Sequence, residues 1–174
     1  NSLYLVQEFI EGETLLQEYQ REGRFSEQKI KEILQQLLPV LVYLHSKGLI
    51  HRDIKPDNLM RRRSDGKLML IDFGGIKEQT SQMGTGLYTP GYAAYEHIMG
   101  RAVAASDLYS LAATCVRLLT GSLPSSDSNL VDPVYDVDQR RWLWQSVLKS
   151  QKRSISDFLA NIFDRIYSGN WCIR

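Results

Sequence analysis

The chain has 174 residues and a formal net charge of +1. That length suits one domain with a substantial core, and the near-neutral charge gives no bulk electrostatic reason to bind nucleic acid or a membrane surface. No apolar run is long enough to span a bilayer and no signal peptide is visible. The two cysteines, Cys115 and Cys172, form no metal-ligand spacing. Cys115 lies in an apolar stretch and reads as a buried free thiol, which suits a reducing cytoplasm.

In chain order, Leu3 to Ile10 reads as a strand, broken by Glu11-Gly12, with a short helix near Glu13 to Tyr19. Ser26 is placed to cap the next helix, with Glu27 in its first turn. Ile30, Ile33, Leu34, Leu37, Leu38, Leu41 and Leu44 recur at helical spacing and predict one buried face. Pro39 falls inside that helix and should bend it, and Gly48 ends it. Two short strands are predicted near Asn58 to Met60 and Lys67 to Ile71, around an Asp65-Gly66 turn. Arg61-Arg62-Arg63 beside that turn reads as a solvated flank. A polar stretch with five glycines runs from Asp72 to Glu96. A loop of that length in a compact domain points to function or disorder. Asp107 to Leu119 is a strongly apolar helix, and two more helices are expected near Gln139 to Lys149 and Ile155 to Tyr167. His45 and His97 belong to no metal constellation, and Trp142 and Trp144 read as packing residues. The fold expected is mainly α (α+β), a helical bundle with short β-hairpins.

The segment that carries chemistry is His51-Arg52-Asp53-Ile54-Lys55-Pro56-Asp57-Asn58. Fourteen residues after Asn58 comes Asp72-Phe73-Gly74, behind the predicted hairpin. Together they resemble the catalytic loop and the magnesium-binding tripeptide of eukaryotic-like serine/threonine protein kinases. The resemblance implies that Asp53 holds the acceptor hydroxyl and takes its proton, and that Lys55 approaches the transferred phosphate. Asn58 and Asp72 become oxygen ligands for Mg²⁺, with Mn²⁺ as an alternative, because hard cations require such ligands. Phe73 would pack beneath the site near His51, and Gly74 would let the backbone turn.

Further resemblances follow along the chain. Thr89-Pro90-Gly91-Tyr92-Ala93-Ala94-Tyr95-Glu96 is similar to the family's substrate-docking loop, with Tyr95 in place of the usual proline and Tyr88 in place of a glycine. Thr89 is then the threonine that bonds the catalytic Asp and Lys, and Glu96 the anion that pairs with a distant arginine, by spacing Arg174. Asp107 matches the aspartate that accepts hydrogen bonds from the backbone near His51 and Arg52. Gln7 to Gly12 resembles the hinge between two lobes. Gln7 is the gatekeeper there, the Glu8 carbonyl and Ile10 amide meet the adenine edge of ATP, and Met60 completes the nucleotide contacts.

The resemblance implies residues 1–12 as the last strand of a small lobe plus hinge, and 13–174 as a large lobe lacking its final helix. No GxGxxG loop and no lysine of the Val-Ala-Ile-Lys type occur in the sequence. The chain does not begin with Met, so it reads as a fragment of a bacterial kinase, nearly inert alone. Proteins are the implied substrates, with no nucleic acid or membrane contact from this segment. Arg52 before the catalytic Asp points to control by phosphorylation at Thr80, Ser81 or Thr85. Fused regulatory domains are the alternative. A pseudokinase scaffold and a small-molecule phosphotransferase are the competing readings.

Overall fold

The computed structural model describes residues 8–73, 77–78, 88–125 and 131–168. Gln7, Gly74, Thr80, Ser81, Thr85, Cys172 and Arg174 lie outside the described residues, as does most of the expected first strand. Residues 8–10 are not strand. The first strand, β1, is Gly12–Thr14, and it leads straight into α1, Leu15–Glu22. The Glu11-Gly12 break expected from sequence is therefore a strand start. β1 lies so close to its neighbour that a Cβ on Gly12 would sit 2.1 Å from the Arg61 carbonyl oxygen, so only glycine fits. Thr14 caps α1 by a reciprocal pair: its Oγ1 accepts from Gln17 N and Gln17 Oε1 accepts from Thr14 N. That cap moves the helix start past the predicted Glu13.

α2 spans Glu27–Ser46, with Ser26 Oγ accepting from Lys29 N. Its buried face is Ile30, Ile33, Leu34, Leu37, Leu41 and Leu44. Leu38 departs from the predicted stripe and is 40% exposed, because one residue past Leu37 turns it about 100° away from the core. Pro39 sits within the continuous helix. β2 (Leu49–Ile50) pairs antiparallel with β5 (Lys77–Glu78). β3 (Leu59–Arg62) and β4 (Leu68–Leu70) form the predicted hairpin and extend β1 into a three-stranded antiparallel sheet, order β1-β3-β4.

The basic run beside that hairpin is not all solvated. Arg63 is exposed, but the Arg61 guanidinium turns inward, donating to Glu18 (3.1 and 3.3 Å) and Glu32 (2.7 Å). Alternation along β3 puts Arg61 on the face that meets α1 and α2.

After α3 (Tyr95–Ile98) comes α4, Ala104–Thr120, buried on nearly all sides. Leu111, Cys115, Val116, Leu118 and Leu119 share one core cluster with the α2 stripe and with Leu159 and Phe163. Each such side chain stabilises by about 1.5–3 kcal/mol on full burial. Cys115 is a free, fully buried thiol, and burial pushes its pKa up. The helix expected over Gln139 to Lys149 is a correction. Tyr135–Asp136 (β6) and Arg141–Trp142 (β7) form a hairpin, and α5 covers only Trp144–Ser150. Asp136 Oδ1 accepts from Gln139 N and closes the turn, while Trp142 stacks on Tyr167 at 4.4 Å. α6 runs Asp157–Tyr167 behind a Ser156 cap. Glu27 ties that cap to α2, accepting from Ser156 N (2.9 Å) and Oγ (2.5 Å).

Candidate active site

The site is built outward from Asp107, a fully buried carboxylate near the start of α4. Its Oδ2 accepts from His51 N and its Oδ1 from Arg52 N, both at 2.9 Å. These bonds hold Arg52 at φ 73, a left-handed conformation that a non-glycine residue adopts only when its surroundings demand it. His45 Nε2 lies 2.9 Å from the same Oδ2. The sequence alone places His45 in no metal constellation and gives it no other role. It sits four residues after Leu41, on the core-facing side, and that spacing was the available signal. Nε of Arg52 is buried with no hydrogen-bond partner among the described residues.

His51 carries the constraint onward. Its Nε2 donates to the Ile71 carbonyl at 3.2 Å and its Nδ1 accepts from Asp53 N at 3.4 Å, which fixes the neutral tautomer with the proton on Nε2. Burial lowers its pKa, in line with a neutral ring. Phe73 packs edge-on against it, ring centroids 5.5 Å apart. Ile71 N also donates to Asn58 O at 2.9 Å, so Ile71 is held at both its amide and its carbonyl. Asp72 follows with φ 61, and its residue is exposed. Two left-handed residues, Arg52 and Asp72, thus flank the site.

At the centre is Asp53. Thr89 Oγ1 donates to its Oδ1 at 2.6 Å, and Lys55 Nζ approaches its Oδ2 at 2.8 Å while donating to Thr89 Oγ1 at 2.9 Å. Asn58 Nδ2 donates both to Asp53 Oδ2 and to the Asp53 carbonyl, each at 2.8 Å. Burial works to raise the Asp53 pKa, but the hydrogen bonds from Lys55, Thr89 and Asn58 and the Lys55 charge outweigh it and hold the carboxyl below its usual value. Asp53 is therefore ionised, accessible and oriented.

The remaining predicted positions are dispersed. Glu8 is exposed and 3.9 Å from Arg62; Ile10 is half-buried; Met60 is half-buried in β3 opposite Thr14. Glu96 accepts from Ser106 Oγ at 2.7 Å. Tyr95, standing where the family has proline, is exposed beneath the Arg140 guanidinium, 4.6 Å from the ring centroid. A groove of about 270 Å³ lies elsewhere, lined by Gly12, Glu13, Arg61, Arg62, Arg63 and Gly66. It shares no residue with the Asp53 group, and its arginines are already paired with Glu18, Asp65 and Glu11.

The protein kinase domain family matches residues 1–168. The chain belongs to that family. Among curated relatives, this kinase sequence is 40% identical over 170 residues to serine/threonine-protein kinase F of Synechocystis sp., covering 94% of this chain and 32% of that protein. It is 49% identical over 137 residues to serine/threonine-protein kinase C of the same organism, covering 72% and 26%. Human calcium/calmodulin-dependent protein kinase type 1B is 33% identical over 177 residues, covering 94% and 49%. The chain thus spans about a third or less of the bacterial relatives' length.

The kinase family uses ATP with a divalent cation, and the donors here fit one. With Nδ2 committed to Asp53, the remaining polar atom of the Asn58 amide is an oxygen, and Asp72 adds an exposed carboxylate. No group of three or more His, Cys, Asp or Glu side chains able to hold a metal occurs among the described residues. Two oxygen donors suit a divalent cation that takes its other ligands from phosphates and water.

Proposed function

We propose that this chain supplies the catalytic loop of a serine/threonine protein kinase, which transfers the γ-phosphoryl group of ATP to hydroxyls of protein substrates. The observation that carries the reading is the Asp53 carboxylate, ionised and open, shared among Lys55, Thr89 and Asn58. The acceptor hydroxyl donates to Asp53, its oxygen attacks the γ-phosphorus, the bond to the ADP oxygen breaks, and the hydroxyl proton passes to Asp53. A carboxylate held below its usual pKa is a weak base. It therefore orients the hydroxyl first and takes the proton late, as the phosphorus–oxygen bond forms. Lys55 places a cation where the transferred charge develops.

Asn58 and Asp72 would hold Mg²⁺, or Mn²⁺, which would offset the negative charge of the phosphates. The Glu8 carbonyl, Ile10 amide and Met60 would receive the adenine. In this reading residues 1–12 are the last strand and hinge of a small lobe, and 13–174 belong to the large lobe. The family's glycine loop and its lysine are not among these 174 residues. We therefore assign transfer to a longer protein and expect the 174-residue chain alone to be inactive. The greater length of the bacterial relatives leaves room for fused regulatory domains. The Arg52 Nε, buried and without a hydrogen-bond partner among the described residues, favours control by a phosphate on the segment holding Thr80, Ser81 and Thr85. No helix among the described residues is long and apolar enough to cross a membrane. The free thiol of Cys115 and the need for ATP favour a cytoplasmic site.

The test is Asp53→Asn in the full-length protein, assayed for transfer to a protein substrate. We expect a loss of roughly 10²–10⁴-fold with the fold retained. Wild-type turnover in that variant would remove Asp53 from its role. A wild type that binds Mg-ATP but transfers nothing would replace the enzyme by a pseudokinase module.

A further inference from the structure

Arg117 heads the fully buried side chains by volume among the described residues, although it lies in the otherwise apolar run of α4. Its Nε donates to the Gly91 carbonyl at 2.9 Å and its Nη1 to the Ser122 carbonyl at 2.8 Å. Nη1 and Nη2 reach Asp132 Oδ1 and Oδ2 at 3.3 and 2.5 Å. The guanidinium carbon lies 5.6 Å from the Tyr92 ring centroid and 5.5 Å from that of Trp142. A buried guanidinium is stable only when its fork is matched, and here each nitrogen is used.

The consequence falls on the loop that reaches Asp53. Gly91 has φ 84, and a Cβ there would lie 2.6 Å from Pro124 Cγ and 3.0 Å from Arg117 Nη2. The loop is thus drawn tightly onto Arg117 and Pro124. Two residues earlier, Thr89 bonds Asp53 at 2.6 Å, and the Thr89 carbonyl accepts from Tyr92 N at 3.2 Å. One tight turn spans both anchors, and Pro90 and Gly91 face solvent between them.

We propose that Arg117 is a positioning residue for the acceptor polypeptide: it fixes the Thr89–Tyr92 turn from behind, so that Pro90 and Gly91 form a rigid platform beside Asp53. The proposal rests on the kinase reading above. Arg117 does not touch Asp53. Its effect reaches the reaction through the turn, and its signature belongs to acceptor binding rather than nucleotide binding.

The experiment compares full-length wild type with Gly91→Ala, Asp132→Asn and Arg117→Lys. Each is assayed for KM toward an acceptor peptide, KM toward ATP, kcat, and hydrogen–deuterium exchange over residues 88–95. Gly91→Ala removes no partner of Arg117 and instead forces the turn away from Pro124 and Arg117 Nη2, so it tests the turn without deleting the ion pair. We expect acceptor KM to rise about 10-fold or more in every folded variant, with ATP KM within about twofold. Exchange over 88–95 should quicken as well. Lysine should not substitute for arginine, since one ammonium cannot serve Gly91, Ser122 and Asp132 together. A fall in kcat alone, with both KM values unchanged, would mean only less folded enzyme and would overturn the proposal. So would unaltered exchange over 88–95. Failure of the wild type to transfer phosphate would sink the kinase reading instead, and the exchange measurement would still decide the role of Arg117.

Discussion

Asp53, in the loop after β2, and Glu18, in α1, are carboxylates with similar partners and different surroundings, and only the first is proposed to be catalytic. Each meets a lysine: Lys55 at 2.8 Å for Asp53, and Lys29 in direct contact for Glu18. Each has further donors, Thr89 and Asn58 on one side and Arg61 on the other. The Glu18 side chain is 5% exposed, however, and that of Asp53 is 26% exposed. The cations of Glu18 come from a helix and a strand and are shared with Glu22 and Glu32. Asp53 sits in a loop bracketed by left-handed Arg52 and Asp72. Charge pairing alone does not mark a working site. Openness and backbone strain around an ordered carboxylate do.

The comparison breaks if the two residues fail in the same way. Asp53→Asn should abolish transfer and move the melting temperature little, because the amide keeps most of the contacts. Glu18→Ala should do the reverse. It removes the anion shared by the half-buried Arg61 and Lys29, which keep Glu32 and Glu22, so the cost should fall below the about 3–5 kcal/mol of an uncompensated buried charge. Chemical denaturation should show that loss, while activity per folded molecule in the full-length protein stays near wild type. If Glu18→Ala instead left stability unchanged, the Arg61 cluster would be a solvated flank after all.

A milder test lies at Thr14. Removing its Oγ1 by Thr14→Val leaves the Gln17 amide uncapped and should cost about 1 kcal/mol, read as a shift in denaturation midpoint at constant slope. The site itself should not respond. An effect on acceptor or nucleotide KM would show that the cap is felt through the packing of α1 against residues 56–58.

Much of this difference was legible before any coordinates. Asp53, Lys55, Asn58 and Thr89 were marked out by resemblance to the kinase family's motifs, and the structure joins them around one carboxylate. The α2 stripe was readable from periodicity, apart from Leu38, where apolar character alone did not define the face. The Glu18–Arg61 cluster was not readable. Its members are 43 residues apart, and nothing local distinguishes Arg61 from its exposed neighbour Arg63 until the register of β3 is known. Arg117 carried a signal that went unused: a charge inside a helix too apolar to face water must be buried and matched. The β6–β7 hairpin was mistaken for helix because its cause is long-range, the stacking of Trp142 on Tyr167.

Glu27 extends the comparison to a third kind of carboxylate, partly exposed and neither buried nor catalytic. The hydrogen bond from Lys31, with those from the Ser156 side chain and backbone, lowers its pKa from 4.5 to about 2 against a small opposing effect of burial. Because the folded-state pKa is depressed, the stability this group contributes is complete above the unfolded value of 4.5. It fades as pH falls from there toward 2. Glu27→Gln should therefore lower the melting temperature near neutral pH, and the gap from wild type should close as the buffer is taken down through that window. Salt should shrink the part due to Lys31 and leave the part due to Ser156, which is a bond between α2 and the α6 cap rather than an ion pair. A gap that persisted unchanged into acid would mean that Glu27 acts by shape alone.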